Sequence, residues 1–365
     1  MTAALDLVNE HIRAMPPYHP IVPLEVLSEE LGLPLEALVK LDANENPYGP
    51  LPQVQAALAN LDNVHIYPDP ENRRLRRLLA AHHGISQDSI VVGAGEDELL
   101  DLIMRVFVTP GDTLLNCPPT FGMYAFDGAL YQARVVNVPR RADFSLDMGA
   151  IEQAAAQEQP KLLFLANPNN PDGGVITADV IERLLTLPLV LVMDEAYIHF
   201  AEGTPSLLAR VKERENLIVL RTFSKWAGLA GLRVGYGIFP PALVPVLMKA
   251  KQPYTVSVAA EAAACATIEH VEDLSQRTLQ IIQERGRLVD ALRRFAWLRV
   301  YSSQSNFVLC RVLDRPARAV KEYLRRQGIL IRYFDSPGLQ DHIRISVGSR
   351  EQTDRLIAAL TAMEV

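Results

Sequence analysis

The stretches "LVLVMDEAY" at residues 189–197 and "NLIVLRTFSK" at residues 216–225 each begin as an unbroken apolar run and end on polar residues. A run of this kind reads as a strand buried on both faces, since a strand with one wet side alternates. The same texture surrounds them. "SIVVGAG" (89–95) leads into the amphipathic "EDELLDLIMRVF" (96–107), "DTLLNC" (112–117) follows, and "KLLFLANPNNPDGG" (161–174) leads into "ADVIERLL" (178–185). Apolar strands alternating with helical patterns, from about Ser89 to the end of "VGYGIF" at Phe239, predict an α/β fold with a mainly parallel sheet flanked by helices.

After Pro253 the pattern changes. Residues 256–296 form a proline-free stretch rich in Ala, Glu, Gln and Arg, which reads as two helices, the second long enough to bridge domains. Beyond it lie "WLRVYSSQSNFVLCRV" (297–312), a helical "ARAVKEYLRRQG" (317–328), strands at "ILIRYF" (329–334) and "HIRISVG" (342–348), and a last helix opened by a capping box from Ser349 to Gln352. The expected organisation is an N-terminal segment (1–45) packed on a smaller C-terminal α/β domain (256–365), with a large domain (46–255) between them.

Composition narrows the function. The 365 residues are 49% hydrophobic and 22% charged with a net charge of -7, and no basic tail or stripe offers itself to a nucleic-acid backbone. No basic start precedes an apolar block at the N-terminus, and no apolar run reaches roughly 18 residues, so neither a membrane nor a leader is expected. Cys117, Cys265 and Cys310 are widely spaced among apolar neighbours, as buried thiols in a reducing compartment would be. The expectation is a cytoplasmic protein.

In an open parallel sheet, ligands bind beyond the carboxyl ends of the strands. Asn170, Asp194 and Lys225 stand at three such ends. Singly, each has an ordinary reading as a turn residue, a helix cap or a solvated lysine. Together they form a chemical set: a carboxylate to pair with a protonated ring nitrogen, an amide to donate to a ring oxygen, and a lysine that loses its proton and forms a Schiff base. That set describes a pyridoxal phosphate site.

Such a cofactor needs a phosphate seat. "VVGAGEDELL" (91–100) passes from strand through glycines into a helix, so the amides near Gly95, Glu96 and Asp97 can face an anion. Thr222 and Ser224 add hydroxyls, and Arg233 adds a cation able to bind phosphate oxygens in pairs. Gly228, Gly231 and Gly235 are expected to let the backbone approach the ligand. "GAGEDE" matches neither nucleotide-binding glycine pattern, so the combination with Lys225 and Arg233 carries the reading.

The chain resembles the fold-type I, aspartate aminotransferase-like superfamily, and within it the histidinol-phosphate aminotransferases. The resemblance spans nearly the whole chain: "PPYHP" (16–20), "LDANENPYGP" (41–50), "IYPDP" (66–70), "GAGEDELLDLI" (93–103), "PPTFGMY" (118–124), "NPNNPDGG" (167–174), "DEAYIHF" (194–200), "RTFSKWAGLAGLRVGYG" (221–237) and "HIRISVGSREQ" (342–352). It implies a seven-stranded sheet in the large domain, pyridoxal phosphate as cofactor, and a homodimer with shared active sites.

It implies further that Lys225 anchors the cofactor covalently and then moves the substrate proton, and that Asp194 holds the ring nitrogen protonated. Asn170 and Tyr197 would bond the ring hydroxyl oxygen, and Phe121 would stack on the ring. Gly95, Glu96, Asp97, Thr222, Ser224 and Arg233 would hold the phosphate, joined by Tyr67 from the neighbouring subunit. Arg332 and Arg344 match positions that bind the substrate's anionic group, and Tyr18 and Tyr124 match substrate-side aromatics. The expected reaction exchanges an amino group between L-histidinol phosphate and 2-oxoglutarate; aromatic aminotransferase, threonine-phosphate decarboxylase and an inactive cofactor-binding regulator are the alternatives. Two positions depart from the family pattern: Glu96 where a small residue is usual, which puts a carboxylate beside the phosphate, and Asp172 where threonine is more common.

Overall fold

A computed structural model describes residues 3–17 and 22–363. Its strands, in chain order, are β1 (Val39–Leu41), β2 (Ile90–Gly93), β3 (Thr113–Asn116), β4 (Arg134–Asn137), β5 (Leu162–Ala166), β6 (Val190–Asp194), β7 (Leu217–Thr222), β8 (Gly235–Ile238), β9 (Leu298–Val300), β10 (Phe307–Val312), β11 (Ile329–Tyr333) and β12 (His342–Ser346). The larger sheet has seven strands in the order β2-β8-β7-β6-β5-β3-β4. All its pairings are parallel except those of β8, which runs antiparallel to β7 and β2. The connection from β7 to β8 holds a short 3₁₀ turn, Ala230–Leu232, and no α-helix. Without a helical crossover the chain turns back beside the strand it has left.

Side chains of the central strands divide between two cores with the two-residue period of a pleated sheet. Leu163, Leu165, Leu191, Met193, Leu217 and Val219 belong to one. Leu162, Phe164, Val192, Ile218 and Leu220 belong to the other, with Leu99, Leu100 and Ile103 of the helix Glu96–Phe107. Burial on both faces is what the unbroken apolar runs required. The edge strand β4 is half-exposed, and its mixed sequence, absent from the expectations, follows from that position.

The smaller sheet runs β1-β11-β12-β10-β9, with β1 parallel to β11 and the rest antiparallel. The N-terminal helix Leu24–Leu31 packs here, with Leu27 and Leu38 against Leu330. The expected helix pair is Val258–Glu269 and Val271–Leu292. Arg285 on the second donates to the carbonyls of Phe200 (2.8 Å) and Ser305 (3.0 Å), tying the loop after β6 to the loop before β10. Ser349 caps the helix Arg350–Ala362 as expected: its hydroxyl accepts from the Gln352 amide (3.3 Å) while Gln352 Oε1 accepts from the Ser349 amide (2.8 Å). All three cysteines are buried and unpaired. Among the described residues no helix is long and apolar enough to cross a membrane.

The glycines after Lys225 serve a purpose different from the expected one. A Cβ on Gly228, whose φ is +72°, would lie 2.6 Å from the Gly49 carbonyl, and one on Gly235 would lie 2.8 Å from the Glu96 amide nitrogen. Both make room for neighbouring backbone; only Gly231 lines the cavity described below. Gly228→Ala therefore meets an unfavourable left-handed conformation and a backbone clash together, and a loss of about 2–4 kcal/mol is expected in urea unfolding.

Candidate active site

β5, β6 and β7 are neighbours, with Ala166, Asp194 and Leu220 in register. Asp194 ends β6, Asn170 lies in the loop after β5, and Lys225 stands three residues beyond β7. A cavity of about 400 Å³ lies over these ends and is lined by all three together with Tyr197, Thr222, Ser224 and Arg233. A larger cavity of about 1490 Å³ shares Lys225, Asn170, Tyr197 and Phe121 with it and extends to Arg332 and Arg344.

Lys225 Nζ donates to the Ala43 carbonyl at 3.2 Å. Desolvation lowers its pKa to about 8, with the positive charges of Arg344 and Arg233 acting in the same direction. Asp194 is 5% exposed. Its Oδ2 accepts from the Tyr124 hydroxyl (2.5 Å) and its Oδ1 from the Ala196 amide (2.9 Å). Burial raises its pKa, and hydrogen bonds from Tyr124 and Ala196 oppose the rise. The buried Tyr197 accepts from Asn44 Nδ2 at 3.1 Å and rests edge-on against Phe307, and burial pushes its phenol up to about 12. Asn170 Oδ1 accepts from Arg344 Nη1 at 2.6 Å, which leaves its amide NH₂ to donate elsewhere.

At the other end of the smaller cavity, β2 passes through Gly95, φ +81°, into the helix that begins at Glu96. A Cβ on Gly95 would fall 2.7 Å from Arg233 Nη2, so glycine is what lets this guanidinium close over the helix start. Arg233 bonds Asp97 (2.9 Å), the Ala230 carbonyl (3.1 Å) and Ser224 Oγ (3.5 Å), and Thr222 Oγ1 bonds Ser224 Oγ at 2.9 Å. Helix-start amides, two hydroxyls and a guanidinium converge, an arrangement able to hold an anion such as a phosphate. Glu96 is buried here, and its pKa is raised well above the usual carboxylate range by desolvation first and Asp194 second.

Arg344 is 6% exposed and stands across from Arg332 on the paired strands β12 and β11. Its Nη2 donates to the Asp42 carbonyl at 2.8 Å. Phe121 lines both cavities and meets Tyr124 edge-on, with centroids 5.6 Å apart. Asp172 closes its own turn: Oδ1 accepts from Asn169 (2.5 Å) and Oδ2 from the Gly174 amide (2.8 Å).

One expected residue falls elsewhere. Tyr124 is 2% exposed and lines neither cavity, because its hydroxyl is spent on Asp194 from behind; it is not substrate-facing here. Tyr67 is 80% exposed beside Tyr254 and lines neither cavity. Tyr18 lies outside the described residues. One segment was quoted in the sequence without a role. Within "LDANENPYGP", the Asp42 carbonyl receives Arg344, the Ala43 carbonyl receives Lys225, and the Asn44 side chain donates to Tyr197. Its only local signal was the asparagine, which here adopts a positive φ of 56°.

Comparison with known proteins identifies the family. The family model for aminotransferase class I and II matches residues 36–360. Histidinol-phosphate aminotransferase of Roseiflexus castenholzii is 50% identical over 362 residues, covering 97% of each chain. The chloroplastic enzyme of that name from Nicotiana tabacum is 49% identical over 354 residues, covering 97% of this chain and 86% of its own. The crystal structure of Sinorhizobium meliloti histidinol-phosphate aminotransferase with pyridoxal-5'-phosphate superposes with a TM-score of 0.90 at 31% identity, over 99% of this chain and 98% of that one. The chain therefore belongs to the class I and II aminotransferase family, and the relatives named here are histidinol-phosphate aminotransferases.

Proposed function

We propose that the chain is a pyridoxal-phosphate-dependent aminotransferase converting L-histidinol phosphate and 2-oxoglutarate into imidazole-acetol phosphate and L-glutamate, a step of histidine biosynthesis. The observation that carries the reading is Lys225, a lysine with its pKa lowered to about 8, in one cavity with Asp194, Asn170 and an anion seat. The donor set fits the cofactor: the space that Gly95 leaves for Arg233 forms the phosphate end, and Asp194 lies at the ring end. When bound, pyridoxal phosphate supplies an electron sink that accepts the charge developing on the substrate carbon.

The chain's own groups supply the rest. Lys225 Nζ, half in its neutral form near pH 8, holds the cofactor and takes and returns the substrate proton. Asp194 keeps a positive charge on the ring nitrogen. Asn170, its oxygen already occupied by Arg344, donates its NH₂ to the ring oxygen beside Tyr197. Arg233, Thr222, Ser224 and the amides of Glu96 and Asp97 retain the phosphate. Arg332 and Arg344 receive the anionic end of the substrate; burial and the neighbouring Arg332 lower the Arg344 pKa to about 10, so an incoming anion relieves an unfavourable charge.

A homodimer and a cytoplasmic setting complete the proposal, with the large domain at 46–255 and the small one at 256–365. Val64 (69%), Ile66 (58%), Tyr67 (80%) and Tyr254 (46%) are exposed apolar and aromatic side chains near one another in the fold or sequence, and Tyr67 and Tyr254 have ring centroids 4.8 Å apart. Such a patch is what a partner surface covers.

The substrate assignment is tested by kcat/KM for three donors. L-histidinol phosphate is expected to exceed phenylalanine by at least about a hundredfold, because a donor without the right anion leaves buried guanidinium groups unpaired; carbon dioxide release from phosphothreonine in place of transamination would overturn it. The lysine is tested by cofactor capture. Protonated amine does not attack, so the rate of cofactor uptake by the stripped chain rises with pH and levels off above about 8, and Lys225→Ala shows no lysine-linked visible absorbance. For the assembly, Val64→Asp with Ile66→Glu is expected to yield monomers in sedimentation velocity. Tyr67→Phe is expected to keep the dimer and weaken cofactor retention about ten- to a hundredfold, the value of one hydrogen bond to a charged group.

A further inference from the structure

Glu96 is the first residue of the helix Glu96–Phe107, is 8% exposed, and lines the cavity that contains Asp194 and Lys225. Its Oε1 is buried and receives no hydrogen bond. An ionised carboxylate cannot be held cheaply in that condition, and a carboxyl so placed takes up a proton instead. The surrounding charges favour the same state. Desolvation raises its pKa most, Asp194 and then Asp97 add to the rise, and Lys225 opposes it. The phenols of Tyr124 and Tyr197 also face it, and burial keeps both protonated.

The acid proton has an acceptor nearby, because Glu96 and Asp194 line the same small cavity and each shifts the other's titration. Asp194 already accepts from the Tyr124 hydroxyl and the Ala196 amide. Two buried carboxyls that share a site do not both ionise; one keeps the proton and donates it to the other. Asp194, with its two further donors, is the better-supplied anion, so the proton stays on Glu96.

We propose that Glu96 is a neutral acid whose hydrogen bond holds Asp194 ionised and aimed at the ring nitrogen of the cofactor, a positioning residue that acts through Asp194. The inference rests on the cofactor reading given above. It also accounts for a glutamate in the phosphate seat: a neutral acid adds no second negative charge there, and its backbone amide remains available to the anion. Gln at this position keeps the donor and the shape, whereas Ala removes the donor. Without it Asp194 becomes more basic, draws the ring-nitrogen proton toward itself and leaves the ring less positive.

Two measurements test this. The infrared difference spectrum of the stripped full-length chain, wild type minus Glu96→Gln, is expected to show the carbonyl stretch of a protonated carboxylic acid. The pH midpoint of the visible absorbance of the cofactor-loaded chain is expected to be unchanged in Glu96→Gln and raised by about one pH unit in Glu96→Ala. Cofactor affinity at neutral pH is expected to be equal in wild type and Glu96→Gln, since no charge is exchanged. Absence of the acid band, tighter cofactor binding by Glu96→Gln, or equal midpoint shifts in both variants would overturn the proposal while leaving the cofactor reading intact. A wild-type chain that shows the band but takes up no pyridoxal phosphate would instead overturn the cofactor reading, and the role of Glu96 with it.

Discussion

The site depends on keeping one amine out of water. At the end of β7, Lys225 meets the Ala43 carbonyl and two nearby guanidinium groups, and desolvation moves its pKa from 10.5 to about 8. A lysine in this state is a nucleophile and a proton carrier near neutral pH, which an exposed lysine is not. Asp194 requires the opposite treatment, since it must remain charged in the same recess. It is supplied with donors from Tyr124 and Ala196 against the burial that raises its pKa. Two groups of opposite requirement thus share one cavity through different hydrogen bonding.

Those environments exist because the two sheets meet over the strand ends. Arg344, from the smaller sheet, bonds Asn170 after β5 and the Asp42 carbonyl beside β1. Asn306 at the start of β10 donates to the Asn44 carbonyl at 2.8 Å, and Asn44 in turn donates to Tyr197. Each contact joins parts of the chain more than a hundred residues apart, so the lining is completed only when both sheets are in place. The arginine that would receive substrate also orients the amide that would face the cofactor, which couples the two ends of the site through one side chain.

Beneath the cavity the strand ends are held in register by buried polar pairs. Arg221, adjacent to Thr222, bonds Glu195, adjacent to Asp194, at 2.9 Å and 3.1 Å, with side-chain exposures of 7% and 0%. Glu195 is further satisfied by Ser206 Oγ (2.6 Å) and the Leu207 amide (2.7 Å). A buried pair so fully bonded contributes little net stability, but losing one partner would strand the other charge, so it pins β6 to β7 next to the two residues whose spacing matters most. His199, stacked on Trp226 with centroids 4.0 Å apart, seals the same layer and stays uncharged because burial lowers its pKa well below the usual value.

How much of this could be read from the residues varies with how local the cause is. The apolar runs at β5, β6 and β7 announced strands buried on both faces, and the polar groups that end them announced a site, because period and strand-end position are properties of the chain alone. Edge strand β4 carried no such pattern, since its half-exposed residues need not be apolar. Gly228 and Gly235 were expected to admit a ligand, and the backbone of Gly49 and Glu96, distant in sequence, takes that space instead. Tyr124 was recognisable as an aromatic near the site, and only the packing turned its hydroxyl onto Asp194. Sequence by itself determined which groups are present and at which strand ends they stand; the tertiary structure decided their protonation and partners, because desolvation and hydrogen bonding depend on what else is folded against them.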